Sequence, residues 1–178
     1  MSSTNLVRLG GLVAMVGSIV FVLGLLPGPW WNWRLAEVVI LPLQYLLFFV
    51  GVSVAIVAVA ALLRETRHDR SGILACGVSL VGVVLVFVGL FLGFVGSLVI
   101  YAGVLVATGG LMVLASLTTR TNTLAWWGGV ALVAGGISFV SGTPFPLPAS
   151  LMGVLWLVVG YAIFRAGGRR IERPARVR

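Results

Sequence analysis

The chain has 178 residues, of which 60% are hydrophobic and 9% charged; its net charge of +8 is carried by arginine, since there is no lysine. A soluble domain needs about a quarter of its residues charged to cover its surface, so a water-soluble fold is excluded. No charge falls between Ser71 and Thr119 or between Thr121 and Phe164, which only a bilayer makes tolerable.

Spanning segments follow from runs of roughly 20 apolar residues. The first covers residues 6–26, with Arg8 in its opening turn. It is longer than the apolar core of a signal peptide and runs into LPGPWW without a small-residue cleavage site, so a retained span is expected. The second covers residues 35–63, long enough to tilt. RETRHDR follows at residues 64–70. The uncharged block after it is too long for one span and right for two, at 72–92 and 97–117. The turn between them is expected at GFVGS, residues 93–97, where two glycines and a serine favour a break. The fifth span covers 124–140 and the sixth 147–164, its start loosened by PFPLP. The expected fold is all-α: a polytopic bundle of six transmembrane helices over residues 1–164, then a basic tail over 165–178.

Arginine placement sets the threading, because cytoplasmic loops carry the basic excess. With the N-terminus inside, Arg8, Arg64, Arg67, Arg70, Arg120 and the arginines of the tail all stay inside, and only Arg34 is outside. Both termini are then cytoplasmic. Five or seven spans would strand a basic cluster outside. Trp30, Trp31 and Trp33 fall at the outer interface, and Trp126 and Trp127 at the inner one, the depth that indole prefers.

LGGLVAMVGSIVFVLG at residues 9–24 aligns without gaps on WGGVALVAGGISFVSG at 127–142. Gly10, Gly11 and Gly17 match Gly128, Gly129 and Gly135, and Gly82 and Gly89 echo the spacing in the third span. Three tandem helical hairpins are the plan this suggests. Small residues at four-residue spacing, such as Gly10, Ala14 and Ser18, let backbones approach in lipid. That spacing fits seams within one protomer and a homo-oligomer face alike.

The candidate chemistry is sparse. His68 and Asp69 are adjacent and so do not face each other, and three arginines around them repel a cation. RETRHDR therefore reads as a topology label, not a catalytic or metal site. Cys76 lies in an apolar run and reads as a packing residue. Arg34 and Glu37 sit one helical turn apart near the outer end of the second span, fit to pair. Gln44 and Tyr45 lie deeper, beside Pro42, which can kink a helix and free a carbonyl. A ligand site, if the chain has one, is expected at Arg34, Glu37, Gln44 and Tyr45. Arg165, Arg169, Arg170, Arg173, Arg176 and Arg178 form a juxtamembrane cluster suited to anionic lipids of the cytoplasmic leaflet. There is no phosphate-binding loop, no intramembrane histidine for haem and no paired carboxylate at membrane depth. No cofactor, metal or nucleic acid is expected, and no enzymatic activity.

The opening TNLVRLGGLVAMVGSIVFVLG, residues 4–24, resembles the start of small uncharacterised multi-pass membrane proteins of high-GC Gram-positive bacteria. The likeness covers the first span, implies a bacterial plasma membrane and brings no functional residues. The three-hairpin plan is similar in topology to membrane proteins of the HdeD type. The reading is an integral plasma-membrane protein, structural or interacting, in contact with lipid and open to self-association. Its alternative is a small transporter, channel or apolar-ligand binder with its site at the outer ends of the first two spans.

Overall fold

The computed structural model describes residues 3–24, 41–64, 69–138 and 146–171. They form six helices: α1 (Ser3–Gly24), α2 (Leu41–Arg64), α3 (Asp69–Gly89), α4 (Gly93–Arg120), α5 (Trp126–Ser138) and α6 (Pro146–Ile171). No strand occurs among the described residues. Five of the helices contain a stretch long and apolar enough to cross a membrane; the shorter apolar helix is α5. At 1.5 Å per residue its 13 described residues rise about 20 Å, against a hydrocarbon core of about 30 Å.

The helices are apolar on both faces. Large side chains point outward all round the bundle, with Leu98 73%, Leu105 72% and Leu74 69% exposed. Water would penalise a patch of this size severely, and lipid does not. The interior is lined by Phe48, Ile56, Leu62 and Leu63 of α2, Leu111 and Leu114 of α4, and Trp156 and Ile163 of α6, all fully buried. The α2 stretch is the most enclosed of the spans.

Each helix packs on its sequence neighbours, and α6 returns to pack along α1, so the six close into a ring. The α3–α4 and α1–α6 contacts are the most extensive. Only α2 reaches further, touching α4 and α6 as well as its two neighbours.

Glycine governs these seams. A methyl built on Gly82 would lie 2.6 Å from Ala107 Cα, and one on Gly103 would lie 2.7 Å from the Val86 amide nitrogen. Gly89 and Gly96 meet backbone to backbone at the turn end of the same pair. On α4 the contact glycines are Gly96, Gly103 and Gly110, one per two turns. Gly153, Gly160 and Gly167 repeat that spacing on α6 and abut Phe21 and Val22, Gly11 and Met15, and Val7 and Arg8 of α1. Dispersion and close approach hold helices together where lipid cancels the hydrophobic drive.

The glycines that align in sequence occupy equivalent places. Gly10 and Gly17 face α2, Gly82 and Gly89 face α4, and Gly128 and Gly135 face α6, in each case the helix that follows. Gly11 and Gly129 face the other way, toward α6 and α4, in each case the preceding helix of the ring.

Among the boundaries that differ from the sequence reading, two bear on packing. The break between the third and fourth spans falls at residues 90–92, and Gly93–Ser97 is the opening of α4. Leu90, Phe91 and Leu92 make the turn through backbone bonds back to Val86, Phe87, Val88 and Gly89. GFVGS is helical because Gly96 is needed against α3, not for a turn. At the other end, α6 continues past Phe164 to Ile171. Gly167 is buried against Val7 and Arg8, so the first part of the basic tail is helix docked on α1.

Candidate functional site

Polar side chains inside the bundle spend their donors on helix carbonyls. Ser79 Oγ donates to Ala75 O at 2.8 Å, Thr118 Oγ1 to Ala115 O at 2.9 Å and Ser138 Oγ to Gly135 O at 2.6 Å. Thr108 Oγ1 crosses from α4 to the Gly136 carbonyl of α5 at 2.9 Å. Gln44 Nε2 crosses from α2 to the Phe21 carbonyl of α1 at 2.5 Å. Phe21 lies in the last described turn of α1, so the amide ties that end of α1 to α2.

Gln44 itself is buried, and its Oε1 is enclosed without a hydrogen-bond partner. Tyr45 is half-buried and meets Phe21 edge-on at 5.5 Å. Phe21 stacks on Phe48 at 4.3 Å, and a chain of edge contacts continues through Phe49 and Phe87 to Phe91. The surroundings of the expected outer site are thus aromatic and close-packed. Pro42 falls in the first described turn of α2, a position that tolerates proline. Arg34 and Glu37 lie outside the described residues, as does RETRHDR from Glu65 to His68. The structure therefore brings Gln44 and Tyr45 together beside Phe21, while the Arg34–Glu37 pair is not described.

The opposite end of the bundle is basic. Antiparallel packing brings the start of α1, the end of α2, the start of α3, the end of α4 and the end of α6 to one face. Arg64, Arg70, Arg120 and Arg165 are exposed there, and Arg8 is half-buried. Of the expected lipid-contact arginines, Arg165 is exposed at this face and Arg169 and Arg170 lie in α6; Arg173, Arg176 and Arg178 lie outside the described residues. Trp126 is 74% exposed at the same end, and Trp127 stacks on Tyr161 at 6.1 Å, so the indoles mark this interface.

Among the described residues, hollows open on the sides, two of which bear on function. One, of about 440 Å³, runs between α4 and α5 past Met112, Ser116, Gly129 and Ile137. The other, of about 350 Å³, lies at the arginine face and is lined by Asn5, Arg8, Leu9, Leu12 and Phe164. Neither was readable in the sequence. The α1 face that carries the second does show there, as Asn5, Leu9, Leu12, Val16, Ile19 and Leu23 at alternating spacings of four and three. No group of three or more His, Cys, Asp or Glu residues is placed to hold a metal among the described residues.

A closed ring of apolar helices with its described cations on one face defines a polytopic integral membrane protein. The chain matches no protein-family profile, no curated protein and no solved structure.

Proposed function

We propose that this chain is a non-enzymatic structural or interaction protein of a bacterial plasma membrane, with both termini and the arginine face in the cytoplasm. The observation that carries it is the packing of the described interior. Glycine seams close the helices backbone to backbone, and buried hydroxyls bond helix carbonyls instead of converging on a site. What the molecule offers is its outside: broad apolar flanks for lipid and protein neighbours, and an arginine face for an anionic leaflet. The likeness of residues 4–24 to membrane proteins of high-GC Gram-positive bacteria supports the choice of membrane.

The test is photocrosslinking in cells from Leu98 and Leu105, the most exposed large apolar side chains of α4. A discrete crosslinked protein, either a second copy or another membrane protein, is expected. Adducts with lipid alone at both positions would contradict an interaction role. One observation favours a second reading, a ligand site at the outer ends of α1 and α2: the enclosed, unpartnered Oε1 of Gln44. On that reading Gln44→Leu loses a co-purified small molecule while the crosslinked protein is retained. On the first reading Gln44→Leu changes neither.

A further inference from the structure

We infer that the hollow at the α1–α6 seam binds the headgroup of one anionic phospholipid, with the Arg8 guanidinium on its phosphate. The inference deepens the proposal that the arginine face meets an anionic leaflet, but it needs only a phospholipid and not a particular threading.

Arg8 is built into the seam. A methyl on Gly167 would come within 2.7 Å of Arg8 Cγ, so the glycine leaves room for the arginine stem to lie along α6. The guanidinium then sits 5.0 Å from the centre of the Phe164 ring. A ring face attracts the cation and restrains it without neutralising it. α1 itself contains no carboxylate. In a chain of net charge +8, a half-buried cation held against a ring is a site for an anion.

The shape fits a phospholipid better than a free anion. The hollow of about 350 Å³ has a polar end, Asn5 and Arg8, and an apolar end, Leu9, Leu12 and Phe164. From it the track Leu9, Leu12, Val16, Ile19 and Leu23 runs along the outer face of α1, each side chain between 45% and 59% exposed. A guanidinium presents paired N–H donors that match a phosphodiester, and Asn5 adds a short amide donor. An acyl chain can lie on the track beneath. Exposed Arg120 and Arg165 share the face but have no such pocket described around them.

The test uses the full-length protein in detergent micelles, titrated with phosphatidylglycerol or phosphatidylcholine and read by native mass spectrometry. One phosphatidylglycerol should be retained in preference to phosphatidylcholine. Arg8→Gln should weaken that retention about tenfold, while Arg120→Gln should leave it unchanged. Leu12→Trp, which fills the hollow and keeps the charge, should weaken it too; this variant decides the matter if Arg8→Gln does not fold. Glycerol phosphate, which has the anion but no chains, should not displace the lipid. Equal retention of the two lipids, unchanged binding in folded Arg8→Gln and Leu12→Trp, or displacement by glycerol phosphate would each overturn the site. None of these results bears on the crosslinking of α4, so the two proposals can fail separately.

Discussion

Gly77 and Gly82 lie in the same helix and meet opposite surroundings. Nothing approaches the place where a side chain on Gly77 would go, whereas a methyl on Gly82 would run into the backbone of Gly103 and Ala107. Gly77→Ala should therefore raise stability by about 0.5–1 kcal/mol, the ordinary gain from removing a helix glycine. Gly82→Ala should lower it by about 1–3 kcal/mol, because backbone cannot step aside. Unfolding of both variants in detergent, followed by circular dichroism, checks the pair; equal effects would contradict the seam. Thr108→Val removes a bond to the Gly136 carbonyl of another helix and should cost about 0.6–1.7 kcal/mol in the same assay. At this scale the sequence was partly legible. Gln44 could be read as a polar residue within a span, but its partner is a main-chain carbonyl of Phe21, and no residue code announces that. Arg8 could be read as a topology charge; its seat on Phe164 needs two residues from opposite ends of the chain.

The clearest helix end is that of α4. Thr123 N–H returns to Thr118 O at 3.1 Å and Asn122 N–H to Thr119 O at 3.3 Å, with Asn122 at φ 50°. This is the Schellman arrangement with asparagine in the left-handed position, where glycine is usual. Thr121 Oγ1 bonds Leu117 O and meets Thr123 Oγ1, so the hydroxyls of TTRTNT brace the corner as well. Asn122→Val should cost about 1–2 kcal/mol, since a β-branched residue resists positive φ, and Asn122→Gly should be close to neutral. Thermal unfolding in detergent separates the two; an equal loss in both would make the amide side chain, and not the backbone, the cause. Hydropathy located all six helices, because an uncharged run of the right length has few other fates in a bilayer. It misplaced the turn between α3 and α4, since glycine serves close packing and turns alike. Gly96 had the look of a turn residue and is a contact residue.

The six helices together place charge and grease on separate surfaces. All the described arginines gather at one end, and the flanks between the ends are apolar on every side. The closing contact of the ring, α1 on α6, joins the two segments furthest apart in the chain. Sequence pattern did not reveal it, because the spacing of Gly153, Gly160 and Gly167 shows a seam without naming its partner. The repeat was visible as aligned glycines, and the fold gives it meaning: each odd helix presents the same pair to the helix that follows. The proposed placement puts the flanks in hydrocarbon and the arginines on the side of synthesis. Cysteine accessibility in intact cells tests that placement most directly. Cys76 is the only native thiol and is buried, so Cys76→Ala gives a clean background. In it, Asn32→Cys should react with a membrane-impermeant maleimide in intact cells, while His68→Cys and Ala175→Cys should react only after permeabilisation. Labelling of the second and third in intact cells, with the first protected, would contradict the account.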